Sequence, residues 1–170
     1  MGTTYQFNGL LVDAIMQQNR DIADHVERLL EDRLNTHYFC AMARNANQSI
    51  NDSTTTNILW DATRKDQFGW HDATNTDRIY PSVPGWYHAT LFLGAGSTFP
   101  TTSRFLAYMV STTSGNFGVV DFVPGIASPR VTVSGYGYFN GTTDYLVAKI
   151  YHDKGSALNV TGNVGLHLID

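Results

Sequence analysis

The distribution of proline and glycine divides the chain near residue 56 and limits what each part can form. The first 56 residues contain no proline and only two glycines, Gly2 and Gly9. The rest contains all 5 prolines, 13 of the 15 glycines and 17 of the 21 aromatic residues. Helix interiors exclude proline and glycine, whereas β domains use both at their turns. The sequence therefore predicts an N-terminal helix followed by a β domain.

Apolar residues of the first part repeat with helical spacing, and we expect one helix over roughly residues 9–42. Two interpretations stay open: an amphipathic helix lying on its own domain, or a short oligomeric coiled coil. Residues 1–44 are therefore predicted to be a helical anchor or oligomerisation segment. The polar run at 45–56 is rich in residues that bond their own backbone, and it predicts a linker. The seam and candidate interface of the helix is Leu11, Ile15, Ile22, Val26 and Leu29.

Residues 57–170 show strand after strand, with turn signals at short intervals. About eight strands of this kind predict an antiparallel sandwich or jelly roll. Turn residues at Ser114-Gly115-Asn116 and at Asn140-Gly141 predict two hairpins. No helical periodicity interrupts the strands, which argues against a parallel α/β architecture. The expected strands are 58–64, 85–94, 104–113, 117–123, 130–139, 144–151, 157–160 and 164–169.

Charge and hydropathy exclude several functions. The net charge is -4, and only three lysines occur, so we expect no nucleic-acid partner. No apolar run approaches the ~18 residues that a membrane-spanning helix needs, so membrane insertion is not expected. The first residues lack the features of a signal peptide. We expect the protein to be made in a cytoplasm and to stay there or leave inside an assembled particle.

Motifs of enzymes are not found, and we expect no catalytic residue, metal or cofactor. The sequence has no G-x-S-x-G, G-x-x-x-x-G-K, H-E-x-x-H or C-x-x-C pattern. His71-Asp72 and His152-Asp153 are adjacent pairs, which seldom aim at one point. Cys40 lies in an apolar stretch typical of a packed thiol. A β-sandwich hydrolase stays an alternative, although no pair of carboxylates stands out.

Aromatic residues offer a second alternative. An exposed Trp70 with Tyr136 and Tyr138 would form a surface on which sugars stack. Packing in a core or an interface is the more typical use of such residues in β proteins.

Three segments of the β part resemble a known family. VPGWYHATLFLGAG (83–96), VSGYGYFNGTTDYLVAKIYHDKGSALNV (133–160) and VGLHLID (164–170) are similar to the jelly roll of complement heads and tumour necrosis factor. The resemblance implies a trimeric, mainly β jelly roll that binds rather than catalyses, with its last strand near the threefold axis. Bacterial viruses carry similar jelly rolls in decoration proteins, head fibres and tail tips, behind short helical anchors. The low lysine content and the lack of a signal peptide fit that setting.

Strands that are apolar on both faces, such as 85–94 and 105–111, need cover on both sides. One sandwich has one core, so we expect the second face to be buried between subunits. His167 lies on the opposite side of the last strand from Leu166. If that strand lines the threefold axis, the three copies of His167 would form a ring; otherwise His167 is an exposed edge residue. The candidate contacts around the axis are Tyr87, Tyr138, Tyr145, Leu166 and Leu168.

The sequence as a whole predicts a non-enzymatic, homotrimeric structural protein on the surface of a bacteriophage virion. It would decorate or project from the capsid, as decoration proteins and head fibres do. Its N-terminal segment would bind the major capsid protein or another virion protein, after assembly in the host cytoplasm. The alternative is a receptor- or glycan-binding module of a phage tail fibre, with a host surface glycan as partner.

Overall fold

The computed structural model describes residues 15–26, 38–125 and 128–169, and the chain divides into two units, Met1–His37 and Tyr38–Asp170. Residues 15–26 are helical, as the apolar spacing predicts, and all of their side chains are exposed. Ile15, Ile22 and Val26 lie on this helix with 49, 55 and 47% of their surface exposed. Leu11 and Leu29 lie outside the described residues. The role of this seam in oligomerisation stays a prediction.

The second unit is built from two antiparallel sheets. Both sheets have five strands. The larger sheet, which contains the longer strands, has the order β3-β1-β10-β5-β8, and the smaller sheet has the order β2-β9-β6-β7, with β4 also paired to β9. This arrangement confirms the mainly β jelly roll that the strand pattern predicts. The strands are β1 (Phe39–Ile50), β2 (Thr56–Asn57), β3 (Ala62–Asp66), β4 (Arg78–Ile79), β5 (Gly85–Ala95), β6 (Phe105–Ser111), β7 (Gly115–Phe122), β8 (Arg130–Phe139), β9 (Leu146–His152) and β10 (Leu158–Ile169).

The core lies between the two sheets and follows from the alternation of side chains along each strand. In β5, the residues at every second position from Tyr87 to Ala95 are buried. Trp70 comes from a loop, is 1% exposed and packs edge-on against Tyr87 with ring centroids 5.6 Å apart. Its indole N–H donates to Ser82 Oγ at 2.9 Å, so burial leaves no polar atom of the ring unpaired.

Two glycines let the sheets approach along one side of the sandwich. A Cβ on Gly135 of β8 would lie 2.7 Å from the backbone nitrogen of Gly118 in β7. Gly118 has a φ of +63°, a conformation that favours glycine, and a Cβ there would lie 2.9 Å from the carbonyl oxygen of Ser134. Only hydrogen fits between the two backbones. The close packing of β7 against β8 therefore requires glycine in the G-Y-G pattern of β8.

The structure corrects the predicted boundary of the helix and the predicted linker. Residues 39–42 are not helical, because β1 begins at Phe39, and residues 45–50 belong to the same strand. The pairing of β1 shifts between Arg44 and Gln48. Within that irregularity the Asp61 carboxylate accepts the backbone N–H groups of Asn45 and Ala46 at 2.8 and 2.9 Å. Residues 45–50 of the polar run are thus an irregular strand held by tertiary hydrogen bonds, which a local pattern does not reveal.

The strand prediction also needs correction at three points. Asn140-Gly141 does not close a hairpin, because β8 pairs with β5 and β9 pairs with β6 in the other sheet. The turn itself exists: Asn140 Oδ1 accepts the backbone N–H of Thr142 at 2.9 Å. The expected strand at 58–64 begins only at Ala62, and the two expected C-terminal strands are one continuous β10. The hairpin at Gly115 is confirmed, since β6 pairs with β7 there.

Candidate functional site

The candidate site is the outer face of the larger sheet, meaning the outward side chains of its strands β5, β8 and β10. Each residue of this face alternates with a core residue, so the strands that form the core also fix the face. The register places the rows of the face side by side, with His88 opposite both Tyr136 and His167. The outer face comprises Trp86, His88, Thr90 and Phe92 of β5, Thr132, Ser134, Tyr136 and Tyr138 of β8, and Asn163, His167 and Ile169 of β10.

Large apolar groups of the outer face are exposed in the single chain. Tyr136 is 63% exposed, Trp86 57% and Ile169 38%. Trp86 and Tyr138 contact each other edge-on, with ring centroids 6.0 Å apart. Contiguous exposed aromatic surface of this kind marks an interaction site rather than ordinary solvent-facing sheet.

Two histidines lie at the middle of the outer face. The rings of His88 and His167 are 5.0 Å apart at their centroids, and the ring of His88 also lies 4.9 Å from that of Tyr136. His88 Nε2 is 2.6 Å from Ser134 Oγ. Partial burial, and then the neighbouring His88, lower the pKa of His167 below its ordinary value, because both disfavour the charged imidazolium. At neutral pH His167 is therefore an uncharged part of the face.

Formal charge is almost missing from the outer face. Among the outward positions from 86 to 94, 130 to 138 and 159 to 169, Arg130 at one end is the single Lys, Arg, Asp or Glu. The other sheet differs: Arg104 forms an ion pair with Asp121 at 2.5 Å and lies over the Tyr151 ring. Depletion of charge with enrichment of aromatic residues is the compositional signature of an interface core.

The five interface residues that the sequence predicts in the β domain do not come together. Tyr87 and Leu166 are fully buried inside the sandwich, and Leu168 packs against the same core. Tyr145 immediately precedes β9 of the smaller sheet, and its ring is tilted against that of Tyr80 with centroids 5.2 Å apart. Tyr138 alone of the five lies on the outer face. The prediction placed Tyr87 and Leu166 on the wrong side of their strands. Alternation of side chains along a strand separates two faces, but it does not say which face packs into the core.

Sequence reasoning assigned Tyr87 and Leu166 to the interface, whereas the structure places both in the core. Alternation along β5 puts Trp86, His88 and Phe92 on the other side of the strand from Tyr87. His167 lies on the outer face, and its part in a ring around a threefold axis stays a prediction. One signal in the sequence could have identified the outer face. Its positions lack the charged residues that a solvent-facing sheet surface normally carries.

Other candidate groups have structural roles. The predicted sugar-stacking surface loses Trp70, which is buried. Asp153 accepts the backbone N–H of Arg104 at 2.5 Å, and Asp72 accepts that of Thr74 at 2.7 Å, so both close loops. His152 is fully buried with its Nε2 3.2 Å from the Ile50 carbonyl oxygen. The adjacent His-Asp pairs therefore do not form an acid–base or ligand pair with each other.

Cys40 is buried as expected of a packed thiol. Burial, together with the nearby Asp66 carboxylate, raises the pKa of this thiol to about 12, so that it stays protonated near neutral pH. Within the described residues no group of three or more His, Cys, Asp or Glu is placed to hold a metal ion. No helix in the described part of the chain has the length and apolarity to span a membrane.

Comparison with known proteins gives relatives by structure only. No family model and no curated protein matches the sequence. Vertex protein P5 of phage PRD1 is 19% identical, with a TM-score of 0.57 over 79% of this chain and 98% of that one. Murine APRIL is 13% identical, with a TM-score of 0.54 over 79% and 100% of the two chains.

The globular domain of zebrafish complement 1qA completes the set, with 15% identity and a TM-score of 0.52 over 78% of this chain and 97% of that one. Identities this low speak for the fold alone. The structural matches agree with the two-sheet architecture described above. They also agree with the resemblance of segments 83–96, 133–160 and 164–170 to the jelly roll of complement heads and tumour necrosis factor. The β unit of this chain therefore has the jelly-roll fold of the complement and tumour necrosis factor type, which the phage vertex protein also has.

Proposed function

We propose that this protein is a non-enzymatic, homotrimeric structural protein of a bacteriophage virion, and that the outer face of the larger sheet is its trimer interface. The observation that carries the proposal is the composition of this face. It is broad, aromatic and nearly free of formal charge, although the single chain exposes it to water. Burying it around a threefold axis removes that surface from water in all three subunits at once.

The setting in a virion draws support from the structural likeness to PRD1 vertex protein P5. A threefold jelly roll is a rigid body whose symmetry can match threefold positions on an icosahedral shell. Residues 1–37 would then attach the trimer to the major capsid protein or another virion protein. Three copies of a weak attachment segment act together by avidity. We place the protein at the virion surface, as a capsid decoration or head-fibre protein.

A second candidate function is a receptor- or glycan-binding module of a tail fibre. The same fold and trimer serve it equally, so copy number on the particle separates the two. Quantitative gel densitometry of purified virions should give scores to hundreds of copies for a decoration protein. A few copies in multiples of three would reject the capsid location and favour the tail-fibre module.

Trimer formation itself is tested by light scattering of the full chain. We expect three times the chain mass of 18.8 kDa at micromolar concentration. A stable monomer there would refute the proposal in both its capsid and tail forms.

A further inference from the structure

A small polar depression lies on the smaller sheet, on the side of the sandwich away from the outer face. It has a volume of about 120 Å³, and its floor is Val110 and Val147, which lie opposite each other in β6 and β9. Burial of the outer face in a trimer would leave this depression open to solvent. Its walls are Asn57, Asp77, Arg78, Ser111, Thr112, Tyr145 and Lys149.

Arg78 is held in place but not fully satisfied. Its guanidinium lies 4.5 Å from the centroid of the Tyr145 ring, and Nη1 donates to the Tyr80 hydroxyl at 3.0 Å. Nε is 3.7 Å from an Asp77 oxygen and, although buried, has no hydrogen-bond partner. The Arg78 side chain is nevertheless 35% exposed, so the outer part of its guanidinium can bind a group in the depression.

Lys149 adds a second cation. It is half-buried on β9, and its side-chain ammonium makes no hydrogen bond or ion pair within the described residues. The only carboxylate in the walls is that of Asp77, which already accepts the Asn57 amide at 2.7 Å. Two cations therefore face one engaged carboxylate, in a protein whose net charge is -4. The local excess of positive charge has no counterpart among the described residues that line the depression.

We propose that this depression binds a saccharide that carries an oxyanion, a carboxylate or a phosphate, between Arg78 and Lys149. The guanidinium matches the planar geometry of either oxyanion, and the ammonium supplies a point charge. Asp77 and the Asn57 amide carry the acceptors and donors that sugar hydroxyls need, and Thr112 adds a hydroxyl oxygen. The proposal deepens the glycan-binding candidate function, but it does not require the trimer, since every lining residue belongs to one chain.

Titration calorimetry of the full chain tests the proposal with glucuronic acid, glucose 6-phosphate, glucose and inorganic phosphate as probes. We expect the acidic sugars to bind and glucose not to bind. Arg78→Gln and Lys149→Gln should each weaken binding by about tenfold or more, since each removes one charge-assisted contact. Arg104→Gln is the matched control, because Arg104 immediately precedes β6 of the same sheet, does not line the depression and is paired with Asp121; binding should be unchanged.

Three results would overturn the proposal: no binding of either acidic sugar, equal binding of glucose, or equal weakening in all three variants. Phosphate binding as tightly as glucose 6-phosphate would show an anion site without sugar recognition, and would overturn the saccharide assignment. Lys149→Gln changes an outward residue, so it keeps the test decisive if Arg78→Gln unfolds the chain. Light scattering of the same samples reports the oligomer, so failure here is distinguishable from failure of the proposed trimer.

Discussion

Replacing Trp86 with serine removes the largest side chain of the outer face and tests the trimer interface directly. Tryptophan buries up to ~250 Å², and Trp86 is 57% exposed in the single chain. About 140 Å² is therefore available for burial between subunits, and about 100 Å² of it is lost when the smaller serine replaces the ring. At ~25 cal/mol per Å², this contributes about 2.5 kcal/mol per subunit, or about 7 kcal/mol for the trimer.

A loss of about 7 kcal/mol changes the trimer association constant by roughly 10⁵-fold. The chain concentration at the midpoint of trimer dissociation varies as the inverse square root of that constant, so it should rise by about 300-fold. Sedimentation equilibrium over nanomolar to micromolar concentrations measures this midpoint. Near-ultraviolet circular dichroism should show that the variant stays folded, since most of the lost surface is exposed in the single chain.

Val119→Ser is the control for this experiment. Val119 has a similar exposure of 54% but lies on β7 of the smaller sheet, away from the outer face. It should leave the midpoint unchanged. An unchanged midpoint for Trp86→Ser, or an equal shift for Val119→Ser, would refute the assignment of the outer face as the interface.

Three further predictions follow from the fold. A chain of residues 57–170 should be unfolded by circular dichroism because it lacks β1, the strand between β3 and β10, whereas a chain of 38–170 should fold; a folded 57–170 would show that β1 is dispensable. Gly135→Ala should cost about 1–3 kcal/mol in denaturant unfolding, because the new methyl group meets backbone, whereas Gly94→Ala, whose Cβ would lie 3.8 Å from its nearest neighbour, should be close to neutral. Since the pKa of His167 is lowered in the folded chain, the unfolded state binds more protons, so stability should fall as pH drops through about 6.5; a melting temperature that is constant between pH 7.5 and 5.5, or is equally pH-dependent in His167→Asn, would contradict this.

Much of the β unit could be predicted from local pattern. Alternation over 85–94 and 130–139 identifies β5 and β8 and separates their two faces, because side chains on a strand point alternately to opposite sides. The turn residues around Gly115 identify the hairpin of β6 and β7, since Gly115 adopts a φ of +66° that favours glycine. These features depend on neighbours in sequence, and so the sequence alone contains them.

Other features depend on neighbours in space. Residues 39–50 form a strand because β10 and β3 pair with its two edges. This tertiary pairing overrides the helix predicted for residues 39–42. The Asn140-Gly141 turn is local, but the sheet to which each flanking strand belongs is set by pairing with β5 and β6. Backbone hydrogen bonds between strands connect residues far apart in the chain, and no local pattern encodes their partners.

The candidate site shows the same division. The sequence by itself determined that Tyr87 and Leu166 lie on one side of their strands and that Trp86 and His167 lie on the other. Only the tertiary structure decided which side is the core and which is the outer face. The physical reason is that a strand apolar on both sides has no inside of its own: the second sheet, by covering Tyr87 and Leu166, leaves the aromatic and histidine side exposed for a partner.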